Sequence, residues 1–190
     1  MNFALYEAGW FACVLGAARG FAFAGAAAAL VLILLHFVLA RSRRVELEIA
    51  LFAGLCGLIL DSIQGLTGRL HFAGTLPAPA SLPFLSALAP LWVVVLWAQL
   101  GTSLRFSLRW LSERYLLAAL FGMVGGPLAF LGGERLGAAT WGSPRWATAL
   151  TIAAVWGSAT PLLVLFADRR GRGLASGYRF DELFRRNLAR

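Results

Sequence analysis

The sequence predicts an all-α, polytopic membrane protein: a bundle of six transmembrane helices with a bent, glycine-rich fifth helix. Of the 190 residues, 59% are hydrophobic, and the mean hydropathy of +0.74 far exceeds that of soluble domains. A helix needs about 20 residues to cross the hydrocarbon core, so six spans use most of the chain. Pro127 lies in the middle of the fifth apolar segment and predicts its bend.

Short polar turns separate the first three spans. These spans cover about residues 3–18, 21–40 and 47–66. The first span has no positively charged start, so it does not resemble a signal peptide. Arg19 and Gly20 predict a tight turn between the first two spans, and the arginine-rich run 41–44 separates the second from the third.

Proline and arginine mark the boundaries of the last three spans. The connection at about residues 67–83 contains three prolines, which prevent a regular helix, and the fourth span follows at about residues 85–104. A link with three arginines leads to the fifth span, which ends on Glu134 and Arg135. A second proline-containing link opens the sixth span, which ends near Ala167.

The predicted domains are a transmembrane domain at residues 1–167 and a basic tail at residues 168–190. Four apolar residues of the tail fall on one helical face: Phe180, Leu183, Phe184 and Leu188. Basic residues with one apolar face are typical of helices that lie in the headgroup region of a membrane. We therefore expect the tail to form an interfacial amphipathic helix.

The distribution of arginine predicts the orientation. All 17 basic residues are arginine, and 13 of them fall on the side that carries the basic tail. The positive-inside rule then places both termini in the cytoplasm. Anionic lipid headgroups on that side explain the net charge of +8 better than nucleic acid does. The all-arginine, alanine-rich composition suggests a GC-rich bacterial genome and hence a bacterial inner membrane.

Small residues recur on one face of the fifth span. This face consists of Gly122, Gly126, Ala129, Gly133 and Gly137. Small residues let another helix approach closely within a membrane, and Pro127 is expected to bend the helix toward its partners. Two interpretations remain open: tight packing closed by an ion pair of Glu134 and Arg135, or a ligand site on a bent, closely packed helix.

Asp61 is the most informative ionisable residue of the predicted spans. It lies in the outer half of the third span, on a face of small residues: Gly54, Gly57, Gly65 and Gly68. The carboxylate should therefore face protein rather than lipid. At this depth it would be protonated or would need a cation, and Arg19 or Arg135 lies at a compatible depth. We expect spans one, three and five to converge on Asp61, as a helix-locking ion pair or as a substrate or ion site.

Six polar residues on the outer side are the candidate ligand-binding residues: Arg19, Asp61, Gln64, His71, Glu134 and Arg135. No metal and no cofactor are predicted, because the chain has only two histidines and they lie at opposite depths. A metal site of His71, Asp61 and Glu134 is the alternative. Cys13 and Cys56 lie in apolar segments, which indicates small buried side chains rather than a disulfide or metal ligands.

The sequence favours a non-enzymatic function. Ser158 has no downstream histidine to activate it, and the acidic and histidine motifs of lipid transferases and phosphatases are missing. The predicted function is binding of a small or lipid-like ligand, or a role as a membrane scaffold or transport subunit. An oligomer or a partner subunit is left open. The alternative is a membrane-embedded enzyme of lipid or envelope metabolism that uses Asp61, Glu134 and His71.

Three motifs support a family resemblance. They are GWFACVLGA at residues 9–17, GLILDS at residues 57–62 and GPLAFLGGERLG at residues 126–137. With these motifs the chain resembles a bacterial inner-membrane family known as a domain of unknown function, DUF2878, which implies no particular activity. The glycine pattern at residues 57–68 is more distantly similar to substrate-capture subunits of energy-coupling-factor transporters and to the rod-shape subunit MreD. That resemblance implies a transport or scaffold role.

Overall fold

The computed structural model of the chain describes residues 2–40 and 42–188, with side chains at residues 3–40 and 42–172. Within these ranges the chain forms six α-helices and two short strands. The helices are α1 Asn2–Ala18, α2 Ala22–Leu39, α3 Arg43–Leu66, α4 Leu91–Ser103, α5 Tyr115–Arg135 and α6 Arg145–Leu188. The strands are β1 Leu70–Phe72 and β2 Ala139–Trp141. The predicted all-α class is therefore confirmed.

Four helices, α2, α3, α5 and the first part of α6, are long and apolar enough to cross a membrane, as expected of a multi-pass membrane protein. The other two apolar helices are shorter. With 17 residues in α1 and 13 in α4, they rise about 26 and 20 Å, against a hydrocarbon core of about 30 Å. That both also cross the membrane, which would make six spans, stays a prediction. The bend near Pro127 also stays a prediction, and α5 is helical throughout.

The start of the fourth helix was predicted too early. The fourth span was expected from about residue 85, but α4 begins at Leu91. Residues Pro83–Ala87 form a short 3-10 turn, and Pro90 precedes α4 in an extended conformation. Proline disfavours helical geometry in the residue before it, so Ala89 stays outside the helix and α4 can begin no earlier than Pro90.

Two helices extend past the expected spans. α3 begins at Arg43, one turn before residue 47, where Arg44 and Glu48 form an ion pair one helical turn apart. α6 does not end near Ala167 but continues without a break to Leu188. The residues after Ala167 include several arginines, which are good helix formers, and no proline. The predicted interfacial face of the tail falls on side chains outside the described residues.

The two strands join the connection after α3 to the connection after α5, and the sequence did not predict them. They pair antiparallel, with Leu70 opposite Trp141 and Phe72 opposite Ala139. Leu70, Phe72 and Ala139 are buried, whereas His71 is exposed. Each strand has only three residues, so neither periodicity nor length marks it in the sequence. The pair fixes the ends of α3 and α5 beside each other.

Glycine faces let the helices pack closely. On α3, a Cβ at Gly57 would overlap the indole of Trp97 on α4, and a Cβ at Gly65 would overlap the carbonyl of Ala87. On α5, Cβ atoms at Gly122 and Gly126 would overlap Trp156 of α6. The predicted small-residue face of α5 therefore does pack on a helix at these two positions.

Toward the C-terminal end of α5, the small-residue face no longer packs closely on another helix. A Cβ at Gly133 would meet no atom within 4 Å, although Gly133 is buried. Gly137 lies beyond the end of α5 with a φ of 88°, a conformation that favours glycine. Helix packing therefore explains the first part of this face, and Gly133 borders a cavity.

The arrangement of the helices leaves a gap between α1 and α5, here called the seam. α5 packs mainly on α6, α3 on α4 and α1 on α2, and α4 also contacts both α1 and α2. α1 and α5, in contrast, do not pack closely along their lengths. Side chains from the surrounding helices point into the space between them, which is where the candidate site lies.

Candidate functional site

Asp61 lies in the interior of the protein and is bound by two neutral donors. The residue is fully buried, as its glycine face predicted. Trp97 Nε1 donates a hydrogen bond of 2.8 Å to Oδ2 of Asp61. Gln64 Nε2, almost one turn along α3, donates a hydrogen bond of 2.7 Å to Oδ1. Each carboxylate oxygen thus accepts one hydrogen bond from an uncharged side chain.

The expected ion pair of Asp61 with Arg19 or Arg135 is wrong. No arginine whose side chain is described forms an ion pair with Asp61. Arg19 and Arg135 lie at the ends of α1 and α5, and both are exposed. Long basic side chains near helix ends extend toward polar surroundings rather than back into an apolar interior. Neutral donors on α3 and α4 contact the carboxylate instead.

Gly57 explains how Trp97 reaches Asp61. Gly57 lies one turn before Asp61 on the face of α3 that packs against α4, and the Trp97 indole fills the space that a side chain there would occupy. Trp97 is itself buried, with only 2% of its surface exposed. The absence of one Cβ thus lets a large aromatic donor pack against α3 beside the carboxylate.

A cavity of about 60 Å³ opens beside Asp61. Its lining comes from α1, α3, α4, α5, β2 and α6, so five helices meet here rather than the three that were expected. Six aromatic residues form much of the wall: Tyr6, Trp10, Trp92, Trp97, Phe130 and Trp156. Asp61 is the one carboxylate in this lining, which contains no arginine and no histidine. On α5, Gly133 leaves room in the cavity because it has no side chain.

A second cavity, of about 190 Å³, adjoins the first along the seam between α1 and α5. Tyr6, Ala129 and Trp156 line both cavities and therefore form the partition between them. The second cavity contains one carboxylate, that of Glu7, and Gly125, where an added Cβ would meet no atom within 4 Å. Trp156 Nε1 is buried and has no hydrogen-bond partner among the described residues.

The other predicted site residues lie outside the cavity lining. Glu134 is bound by Arg145, at 2.6 and 2.9 Å, and by the backbone N–H of Trp141, at 3.1 Å. The partner of Glu134 is therefore Arg145 rather than its neighbour Arg135, because the β1–β2 pair brings the start of α6 back to the end of α5. Gln64 donates a hydrogen bond to Asp61 but does not line the cavity. Its Oε1 is buried without a partner in the described structure.

The structure does not assemble the alternative metal site. His71 is exposed on β1, Glu134 is held by Arg145, and Asp61 faces the cavity. Among the residues that the structure describes, no group of three or more histidine, cysteine, aspartate or glutamate side chains is placed to hold a metal ion.

The aromatic residues of the cavity were missed as site residues. Trp10 and Trp92 both line the cavity, and Trp92 Nε1 donates a hydrogen bond of 2.9 Å to the carbonyl of Ala73. Trp97 lies in the middle of its apolar segment rather than at a boundary. This position is the sequence feature that could have identified it as a site residue. Tryptophan in the middle of a span needs a partner for its N–H.

A separate buried polar cluster lies near the N-terminal end of α3. Glu46 is 1% exposed and forms an ion pair of 2.6 Å with Arg105 and a contact of 3.4 Å with His36. Ser42 also accepts a hydrogen bond from Arg105. The cluster connects α2, α3 and the segment after α4, so it holds helices together away from the cavity.

Comparison with known proteins gives a family match. A family model described as "Protein of unknown function (DUF2878)" matches residues 1–162, which include every residue that lines the cavity around Asp61. No curated protein and no solved structure matches the chain. The more distant resemblances to transporter capture subunits and to MreD stay predictions.

Proposed function

The chain belongs to the DUF2878 family of proteins of unknown function, and from that premise we propose that it is a non-enzymatic membrane protein that binds a small or lipid-like ligand beside Asp61. A small ligand, or the polar headgroup of a lipid-like one, would lie in the cavity of about 60 Å³ that five helices enclose. The protein would then act as a transport subunit or as a membrane scaffold, and in either role the ligand would bind in this cavity.

The observation that carries this proposal is that the buried Asp61 carboxylate has neutral hydrogen-bond donors but no cationic partner. A buried acid with a purely structural role is normally paired with a cation, because an uncompensated charge in an apolar interior is costly. Asp61 has only neutral donors around it and borders an open space. A polar group aimed into a preformed, mostly aromatic cavity is typical of a ligand-binding site.

The arrangement of the other polar residues favours binding over catalysis. An acid–base or metal-dependent reaction would need a second reactive group near Asp61. Glu134 is held by Arg145 and by the Trp141 backbone, and His71 lies exposed on β1. Neither residue lines the cavity with Asp61.

The seam between α1 and α5 suggests how a ligand would enter. The cavity beside Asp61 borders this seam, and the two helices do not pack closely on each other. A ligand that is dissolved in the membrane could enter from the side without passing through the polar connections. With both termini in the cytoplasm of a bacterial cell, as the arginine distribution supports, the arginine-rich side would contact anionic lipid headgroups of the inner membrane.

Gly133 and Gly125 provide a matched test of the binding site. Leucine at either position would enter open space, Gly133→Leu in the cavity beside Asp61 and Gly125→Leu in the second cavity. The measurement is native mass spectrometry of the purified proteins, with extraction and identification of the small molecules that co-purify. We expect wild type and Gly125→Leu to retain a molecule that Gly133→Leu loses. Identical sets of co-purified molecules in all three proteins would contradict the proposal.

A further inference from the structure

We infer that the cavity around Asp61 selects a small organic cation, a primary or methylated ammonium group with a short carbon chain. This inference rests on the proposed function, because it specifies the chemistry of the ligand for the same cavity. It depends on three features of the cavity: the free acceptor capacity of the carboxylate, the aromatic walls and the volume.

The first feature is the carboxylate of Asp61. An ionised carboxylate offers about four acceptor positions, and the protein fills one on each oxygen, with Trp97 Nε1 and Gln64 Nε2. Because Asp61 lies in the cavity lining, a ligand in the cavity would donate to the remaining positions. The cavity lining contains no basic residue. An ammonium group would therefore supply both the missing donors and the missing positive charge, whereas an anionic ligand would be repelled.

The second feature is the aromatic wall. Trp97 and Trp156 lie with their ring centroids 4.5 Å apart, and Phe130 stands nearly perpendicular to Trp156 at 6.2 Å. Together with Trp10 and Trp92, they surround the space beside Asp61 with aromatic rings. Aromatic faces attract cations electrostatically, and this attraction is strongest where water is excluded. Aromatic walls alone would also accept a neutral apolar molecule, so the carboxylate is what favours a cation.

The third feature is the volume of the cavity. An engineered apolar cavity of about 150 Å³ holds benzene, which has six carbon atoms. By that comparison, the cavity of about 60 Å³ beside Asp61 holds two or three non-hydrogen atoms. Methylammonium and ethylammonium have this size. Tetraethylammonium carries the same charge but is too large for the cavity.

Fluorescence titration of the purified protein in an uncharged detergent tests the inference. Four of the seven tryptophans line the cavity, so bound ligand should change the intrinsic emission. The probes are ethylammonium chloride, ethanol as a neutral molecule of similar size, and tetraethylammonium chloride, each at constant ionic strength. We expect saturable binding of ethylammonium with a Kd at least tenfold below that of ethanol, and no saturable response to tetraethylammonium.

Two variants assign the binding to this cavity. Gly133→Leu should abolish the ethylammonium response, and Asp61→Asn should reduce the preference for ethylammonium over ethanol at least tenfold. If Asp61→Asn does not fold, the wild-type probe comparison and Gly133→Leu still decide the question. Equal binding of ethanol and ethylammonium, no binding of ethylammonium, or binding that Gly133→Leu leaves unchanged would overturn the inference. The co-purification experiment judges the proposed function separately, so the two failures are distinguishable.

Discussion

The indole Nε1 of Trp97 on α4 donates a hydrogen bond of 2.8 Å to the buried Oδ2 of Asp61 on α3. This bond connects the two helices at the wall of the cavity, and its donor is a neutral indole rather than an arginine. Gly57 makes it feasible, because a side chain at that position would occupy the place of the indole ring. The position of the carboxylate in the cavity therefore depends on one glycine and one tryptophan.

Replacing Trp97 by phenylalanine should destabilise the protein. The variant Trp97→Phe keeps an aromatic ring but leaves one buried oxygen of Asp61 without a donor, which should cost about 1–3 kcal/mol. Thermal unfolding in detergent, followed by circular dichroism, measures the change. The matched control is Trp110→Phe, since Trp110 is 45% exposed and donates no hydrogen bond that is described. A Trp97→Phe protein as stable as the control would contradict a structural role for the bond.

Two glycines of α3 should respond in opposite ways to alanine. A Cβ at Gly57 would overlap the Trp97 indole, whereas the nearest atom to a Cβ at Gly54 would be 3.5 Å away, in ordinary contact. We expect Gly57→Ala to cost about 1–3 kcal/mol through overpacking. We expect Gly54→Ala to be neutral or to stabilise α3 by up to about 1 kcal/mol. Equal unfolding temperatures for the two variants would show that Trp97 does not pack on Gly57.

The fold was more predictable from the sequence than the site was. Hydropathy predicted the helices, and the glycine spacing around Asp61 correctly predicted that the carboxylate faces protein. A one-dimensional pattern gives the face of a helix but does not identify the helix that packs against it. Trp97 lies 36 residues from Asp61, and nothing in the spacing of either segment connects them. The pairing of Glu134 with Arg145 was not predicted, because it depends on two strands that are too short, at three residues each, to be recognised in the sequence.

Replacing the buried Glu46 near the start of α3 should lower the stability far more than replacing its partly exposed neighbour Glu48. Glu46→Ala leaves the Arg105 guanidinium without its partner inside the protein. The expected cost is about 1–3 kcal/mol, below that of a fully buried pair because a quarter of Arg105 is exposed. Glu48→Ala is the control, because the side chains of its partners Arg44 and Arg170 are 91% and 50% exposed, and such surface pairs contribute about 0–1 kcal/mol. Similar unfolding temperatures for the two variants would contradict the assignment of a stabilising cluster.

The orientation can be tested by cysteine labelling in intact cells. Native Cys13 and Cys56 are first replaced by alanine, and single cysteines are then introduced as Ala80→Cys, in the connection after β1, and Ser176→Cys, in the basic tail. A membrane-impermeant maleimide should label Ala80→Cys in intact cells and Ser176→Cys only after lysis, because positive charge is retained in the cytoplasm. Labelling of Ser176→Cys in intact cells would reverse the orientation.

The central claim, that a ligand binds beside Asp61, is tested most directly by the indole N–H signals of the seven tryptophans in a two-dimensional nitrogen–proton NMR spectrum. The spectrum is recorded before and after co-purified small molecules are washed out, and again after they are added back. We predict that removal reversibly shifts the signals of the cavity tryptophans: Trp10, Trp92, Trp97 and Trp156. The exposed Trp110 and Trp146 should stay unchanged. A spectrum in which the cavity signals do not move, or in which all seven move alike, would contradict the account.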